Sequence, residues 1–495
     1  MTDASTAVVV AVDQGTSSTK AVAIDAAGEV VGWASVALEQ EHPRPGWVEQ
    51  NATAIADSVI SAIESTSAGI EDRVVALAVS NQRESALAWD RRTGQPLTPV
   101  LGWQDRRTLD HAMRLEAAGH GARAKAITGL PLDPMFSALK FSWLLDEIDP
   151  DRERARAGEI TLGTIDAWIL RALTGTDRIE LGNASRTQLL DLAALDWSDE
   201  LLDLFDIPRA ALPPLAASVE PSGPVTALPS LPENVRINAV LGDSHAALFG
   251  HGVRTPGTVK VTLGTGSSVM GLSTDAAGAP AGLVATLAWS TEKPAYAFEG
   301  NILSTGGTLV WLAELFDTTT AELFALAEET PVAGSVDIVP AFAGLGAPWW
   351  DDSARAILSG FDLGTSRGTI ARAAAESIVL QIEDVLAAAE RGLEHRIETI
   401  LIDGGPASND WLAQLLADLS QRVVTRPNAS GLSALGAAYL GGISCGLWRP
   451  DQVLSFGDGS AVFEPAIGAA AAERRRERWH HAVTLSRSAA SVTGS

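Results

Sequence analysis

The chain opens with two apolar runs, residues 7–12 and 20–25, separated by the polar stretch DQGTSSTK. Uninterrupted β-branched residues of this length predict buried strands, and the Gly, Thr and Ser between them predict a tight loop. After the turn AAGE, EVVGWASVAL continues the pattern, so three antiparallel strands are expected at the start. A helical stretch near 53–66, the apolar run VVALAVS (74–80) and a short strand at SALAWD follow, so helices begin to alternate with strands. A later strand, INAVLGD (237–243), ends in an acidic residue.

Beyond VRTPG (253–257) the pattern restarts: TVKVTLGTGSSVMGLS again gives a strand, a Gly/Thr/Ser loop and a strand. The domain boundary is placed there, dividing the chain into 1–252 and 253–495. A long helix is predicted over GTIARAAAESIVLQIEDVLAAAERG, with Ile370, Ala374, Ile378, Ile382, Val385 and Ala389 on one face and Gly392 as its cap. TILIDGGPASNDWLAQLLADL reads as strand, loop and helix. SALGAAYLGGI (433–443) reads as a helix of small residues suited to close packing, and the chain beyond about 450 as a terminal appendage.

With 495 residues, two domains of ordinary size and a cleft between them are the default. The composition, 46% hydrophobic and 20% charged, is that of a globular protein, with no apolar run long enough to span a bilayer. MTDAS followed at once by VVVAV lacks a basic, cleavable leader, so a cytoplasmic protein is expected. The single cysteine, Cys445, excludes intramolecular disulfides and thiolate metal clusters and is read as a small core residue. A net charge of −25 argues against nucleic-acid partners. The one basic knot, ERRRERWHH (473–481), is read as a solvated helix face.

The loops carry the chemistry. DQGTSSTK places Asp13 at the end of a buried strand beside hydroxyls and peptide N–H groups, which suits a phosphate and a hydrated divalent cation; an unliganded polar hairpin would use similar residues. LGTGSS (263–268) and DGGPASN (403–409) repeat the arrangement, so three Gly-rich loops after apolar strands, in both halves, suggest a nucleotide held across a cleft. Neither G-x-x-x-x-G-K-[ST] nor a G-x-G-x-x-G after the first strand occurs, which excludes a P-loop or dinucleotide fold. A duplicated strand–hairpin–strand unit is instead the plan of the actin, Hsp70 and sugar-kinase ATPases: α/β, two ribonuclease H-like domains, with nucleotide and substrate in the cleft between them.

Three further stretches separate an enzyme from a nucleotide-binding module. SNQRES puts Arg83 and Glu84 after a buried strand, and GWQDRRT puts Trp103, Gln104 and Asp105 after another; they read as a surface ion pair or as a polyhydroxyl site. LGDSHAALFG places Asp243 where a strand gives way to a helix, either as a helix cap or as a general base beside an attacking hydroxyl. The histidines, His245 included, show no metal-ligand spacing and are read as structural.

The ordered matches DQGTSSTKAVAID, GWVEQ, SNQRESALAWD, GWQDRRT, MFSALKFSWLLD, GTIDAWILRALTG, NASRT, GDSHAALFG, LGTGSS, FAGLGAPWWDD, DGGPASND and SALGAAYL, from about residue 7 to about 450, resemble the FGGY carbohydrate kinases. The resemblance implies ATP-dependent phosphorylation of a terminal hydroxyl, with Asp243 as catalytic base and Asp13 organising Mg²⁺. Thr16, Ser17, Ser18, Lys20, Thr265 and Gly266 would meet the phosphates, and Gly306, Gly405 and Asn409 would line the nucleotide pocket. Arg83, Glu84, Trp103, Met135, Ser244 and Ser268 would surround the polyol or sugar. It also implies a homodimer or homotetramer.

Three of these positions depart from the glycerol-phosphorylating members: Met135 stands for a Tyr, Ser244 for a Gln and Ser268 for a Phe. Loss of two aromatic walls opens the site toward a tetritol, pentitol or ketopentose, while the retained NQRE and WQDRR favour glycerol. An actin-like module that binds nucleotide without transferring phosphate is the alternative of a different class; it needs neither a base at Asp243 nor a polyol site. No Gly-rich loop with an Arg follows Val219, so inhibition by a sugar bisphosphate is not expected.

Overall fold

Two sheets of the same topology organise the chain in this computed structural model, which describes residues 5–274, 279–393, 395–456 and 459–488. The first sheet contains β1 (Val8–Gln14), β2 (Ser18–Asp25), β3 (Val30–Ala37), β4 (Val74–Asn81) and β5 (Ile237–Gly242). Its order is β5-β4-β1-β2-β3, with the first three strands antiparallel as expected and β4 and β5 parallel to β1. The second sheet contains β6 (Thr258–Leu263), β7 (Ser267–Leu272), β8 (Val284–Ser290), β9 (Pro294–Ile302), β10 (Thr399–Asp403), β11 (Val423–Arg426) and β12 (Ala461–Phe463). There β6, β7 and β9 repeat the antiparallel trio, and β10 and β11 join in parallel beside β6.

The central strands of each sheet are buried and apolar nearly throughout, as required when helices cover both faces, whereas the edge strands β3 and β12 are partly exposed. Helix α1 (Ala52–Ser67) packs on the first sheet through Ile55, Val59 and Ile63. In the second half, α2 (Arg367–Gly392) is the predicted long helix, and Ile378, Ile382 and Val385 are all buried. Gly392 does not cap it with a left-handed residue. It is the last helical residue, and a Cβ there would lie 2.6 Å from the Pro280 side chain, so close packing explains the glycine.

The small-residue helix α3 (Leu432–Ser444) lies against the first sheet, although it follows the second in sequence. It crosses α4 (Asp243–Gly250) so closely that a Cβ on Gly436 would sit 1.8 Å from the Ala246 carbonyl oxygen. Leu435, Ala437 and Ala438 share a core with Val9, Ala11, Ala76 and Ala239. The chain beyond 450 is not an appendage. Helix α5 (Ala469–Ser488) buries Trp479, Ala482 and Val483 in the second core, and β12 extends the second sheet.

Its basic knot is not a solvated face either. Arg475 bridges Asp337 (2.7 Å) and Glu376 (2.5 Å), while Trp479 Nε1 donates to Asp384 (2.8 Å). The reading failed because the acidic partners are contributed by distant segments. Cys445 is half-buried at the rim of the core shared with α3. Among the described residues, no helix is long and apolar enough to cross a membrane.

Candidate active site

The loops that follow the strands of both sheets border two adjoining cavities. One, of about 660 Å³, is lined by Asp13, Lys20, Asp243, Ser244, Lys260, Thr262, Asp403 and Gly404 among others. The second, of about 560 Å³, is lined by Gly264, Thr265, Gly306, Leu309, Val310, Phe324, Gly405 and Asn409. They share Ser408, so acidic groups at one end are continuous with a partly apolar recess at the other.

Asp13 is the last residue but one of β1, where Ser80 of β4 donates a 2.7 Å hydrogen bond to it. Burial, reinforced by the charge of Asp243, pushes its carboxyl up to about 6, against the Ser80 bond. Asp243 is the first residue of α4; Gly242 occupies the cap position, and the Ser244 N–H donates to Asp243 Oδ1 (2.6 Å). Burial raises its carboxyl, Arg83 opposes and Glu84 adds, yet 40% of the side-chain surface remains open. Among the described residues, no group of three His, Cys, Asp or Glu could hold a metal.

The turn after β1 is closed by Gly15 N–H donating to the Ser18 carbonyl (3.0 Å). Thr16 Oγ1 accepts from Trp103 Nε1 (3.1 Å), so the indole is tied to the loop after β1. The Ser17 carbonyl accepts from Leu38 N–H (2.9 Å). In the second loop, Gly266 passes under Ile302: a Cβ there would lie 2.5 Å from the Ile302 carbonyl oxygen. Gly306 begins a helix, Gly306–Phe316, with its N–H bonded to the Gly264 carbonyl (2.9 Å). Asn409 caps Asp410–Ser420 by accepting from Leu412 N–H (2.8 Å).

Arg83 and Glu84 are not a surface pair. Both are buried, and each pairs with a residue far away in sequence. Arg83 donates to Asp243 (3.2 Å) and, through both terminal nitrogens, to Glu299 (3.1 and 2.8 Å). Glu84, at a left-handed φ of 62°, accepts from Arg186 Nε (2.6 Å), and Arg186 also approaches Glu299 (3.1 Å). Burial works against the Glu299 carboxylate, but the two guanidiniums hold it well below the usual carboxylate range. Ser268 Oγ donates to the same carboxylate (3.0 Å).

Glu299, Arg186 and His245 complete this cluster and were missed by the sequence reading of the site. Arg186 stood within the quoted NASRT and His245 within GDSHAALFG, whereas Glu299 lay in an unremarked strand. His245 is fully buried, with Nε2 3.1 Å from Thr286 Oγ1 and 3.5 Å from Arg83. Of GWQDRRT, Trp103 alone joins the cluster's surroundings. Asp105 is buried and consumed by Val48 N–H (2.7 Å) and Arg107, and Gln104 is exposed against Gln40. Met135 is half-buried against Leu130, Phe136 and Val284, and its carbonyl accepts from Lys140 Nζ (2.5 Å). Lys140 also donates to the Glu84 carbonyl (3.2 Å), and burial draws its ammonium down to about 7.

The site thus combines a long cleft, formed by two adjoining cavities, with a partly open carboxylate above a buried ion cluster. The FGGY family of carbohydrate kinases, N-terminal domain, matches residues 8–250, and its C-terminal domain matches 259–445. The chain is 39% identical to an apulose kinase of Pectobacterium atrosepticum, over 97% of this chain and 99% of that protein. It is 40% identical to a glycerol kinase of Rhizorhabdus wittichii, over 96% and 95% respectively. Plasmodium falciparum glycerol kinase, solved with ADP, superimposes with a TM-score of 0.91 at 27% identity, covering 97% of this chain and 98% of that one. The duplicated sheets, the shared cleft and a match to both domains agree: the chain belongs to the FGGY family of carbohydrate kinases, ATP-dependent enzymes of sugars and polyols.

Proposed function

We propose that the protein transfers the γ-phosphoryl group of ATP to a terminal hydroxyl of a small polyol, glycerol in the first place, with Asp243 as general base. The observation that carries this is the position of Asp243, which borders the cleft shared with Asp13 and Lys20 while Arg83 fixes one of its oxygens. A base must reach both the acceptor hydroxyl and the phosphoryl group in line with it, and this carboxylate faces both regions. Asp243 takes the hydroxyl proton as the hydroxyl oxygen bonds phosphorus and the bond to the ADP oxygen breaks. Its raised proton affinity suits the task.

The adenosine belongs in the recess of Leu309, Val310, Phe324, Gly405 and Asn409, and the phosphates beside Thr265, Gly266 and the loop Thr16–Ser18 with Lys20. Mg²⁺ fits the donor set: Asp13 would supply a carboxylate oxygen, and since no group of three His, Cys, Asp or Glu gathers there among the described residues, water and nucleotide phosphates would supply the other ligands. When bound, it neutralises phosphate charge. Residues 1–252 and 253–495 are the halves that close on these ligands and exclude water.

Trp103, Arg83, Glu84, Met135, Ser244 and Ser268 surround the acceptor. A second reading, a longer polyol or ketose, is favoured by Met135 and Ser268, which put a thioether and a hydroxyl where bulkier walls would narrow the site. ADP release measured against glycerol, erythritol, threitol, the pentitols and the ketopentoses tests both. Turnover confined to longer substrates replaces glycerol by the second reading; ATP binding with no turnover on any of them refutes the proposal.

A further inference from the structure

The charge balance of the cleft contains one residue that neither the loops nor the ion cluster account for. Lys260, in the middle of β6, is 1% exposed and lines the larger cavity together with Asp13, Lys20 and Asp243. Among the described residues its ammonium donates no hydrogen bond and forms no ion pair within 4.0 Å, while the carboxylates of Asp403, Glu299 and Asp243 act on it from farther away. Asp403, one strand away, is already taken by His251 (2.6 Å) and by the Thr262 hydroxyl. Glu299 is taken by Arg83 and Ser268, and Asp243 by Arg83. The other cations of the cavity differ: Lys20 is exposed, and Arg426 is bound to Asp410 (2.7 Å).

A buried ammonium that makes no hydrogen bond and no close ion pair is costly, and an anion entering the cavity would relieve that cost. Burial itself lowers the Lys260 ammonium, opposed by the carboxylates of Asp403, Glu299 and Asp243 that face it and aided by Arg83. The anion that a kinase brings into this cavity is the terminal phosphate of ATP. In the transition state its charge spreads over three equatorial oxygens, where peptide N–H dipoles give partial charges and an ammonium gives a whole one.

We propose that Lys260 is a catalytic residue whose Nζ binds the equatorial oxygens of the transferring phosphoryl group beside Asp243. This rests on the kinase reading above. Lys260 keeps its protons throughout: the acceptor proton goes to Asp243, and the bond pair of the cleaved P–O bond leaves with ADP.

The test is Lys260→Met, which keeps an unbranched chain of similar length without charge. Calorimetry with ADP, with a β,γ-nonhydrolysable ATP analogue and with ADP–aluminium fluoride reads binding independently of turnover. ADP affinity is expected to stay within about twofold while the analogue weakens roughly tenfold or more, since only the latter offers the terminal group. Aluminium fluoride binding weakens further, and kcat falls by roughly 10²–10³-fold with little change in the polyol KM. Equal losses for ADP and analogue, or kcat within about twofold of the parent, overturn the proposal.

A second variant guards against misfolding: Lys260→Cys with Cys445→Ser, alkylated by 2-bromoethylamine to restore an amine at nearly the same reach. Recovery of kcat on alkylation supports the assignment, and complete alkylation without recovery overturns it. If the unmodified enzyme binds ATP but phosphorylates no polyol or sugar, the functional reading fails instead.

Discussion

Removing the Asp243 carboxylate separates its role as base from its place in the ion cluster. In Asp243→Ala, Arg83 loses its 3.2 Å contact but keeps the two bonds to Glu299 at 2.8 and 3.1 Å, so the guanidinium stays in position. Arg186 continues to hold Glu84. The substrate walls are therefore preserved, and the loss falls on proton transfer, worth roughly 10²–10⁴-fold in kcat. ADP affinity should be nearly unchanged, because the recess of Leu309 and Phe324 is untouched. The pH profile gives an independent reading. The Asp243 carboxyl is raised above its usual 3.8, and only its ionised form accepts a proton, so parent activity rises with pH through that raised value. Asp13 is raised as well, to about 6, and the two carboxylates repel each other, so the parent's acid limb belongs to the pair. In the variant the limb due to Asp13 moves to lower pH, because the Asp243 charge that helped to raise it is gone. Coupled ADP release in single-turnover and steady-state modes, with calorimetric ADP binding, measures all three. Near-normal turnover in Asp243→Ala would refute the mechanism.

Met135→Tyr narrows the acceptor site beside Phe136 and Val284 and should raise kcat/KM for glycerol relative to erythritol and the pentitols; a shift toward the longer substrates refutes the assignment of that wall. Trp479→Ala leaves a cavity in the second core and removes one of the donors to Asp384, costing about 3–5 kcal/mol, which denaturant titration reads as a lower midpoint. His480 sits 2.9 Å from Asp384, and the bond raises its proton affinity above 6.5. A raised imidazole contributes stability that is fully present below pH 6.5 and is lost as pH rises through the folded value. The parent should therefore melt above His480→Gln at pH 6, with the difference vanishing in mildly alkaline buffer; a constant gap would show that the charge is irrelevant.

The duplicated sheets were legible in the sequence because local pattern carries them. Strands buried on both faces are unbroken apolar runs, and the loops after β1, β6 and β10 announce themselves by Gly, Thr and Ser. Asp243 was legible for the same reason, as an acidic residue where a strand meets a helix. What failed was whatever depended on partners from afar. The knot ERRRERWHH has the composition of a solvated face, and only the approach of Glu376, Asp337 and Asp384 makes it an anchor. Asp105 looks like a ligand until Val48 N–H and Arg107 use up its oxygens.

The ion cluster makes the same point at the site itself. Arg83 and Glu84 are neighbours in sequence, so they suggest a pair with each other. In the fold, Glu84 takes an unusual left-handed backbone while its carboxylate meets Arg186, 102 residues on; Arg83 reaches Glu299, 216 residues on. Both long links are needed because neither charge could be buried alone. Glu299 belongs to β9 of the second sheet and Arg83 follows β4 of the first, so the ion cluster beneath the proposed acceptor site is built from both halves of the chain. A partner that arrives through topology leaves no trace in spacing, which is why Glu299 and Lys260 were silent in the sequence. It also sets a consequence for Glu299→Gln: Arg83 and Arg186 lose the carboxylate that both share, and the guanidinium that steadies Asp243 loses its anchor. That variant should lose turnover and stability together, whereas Asp243→Ala loses turnover with stability nearly intact.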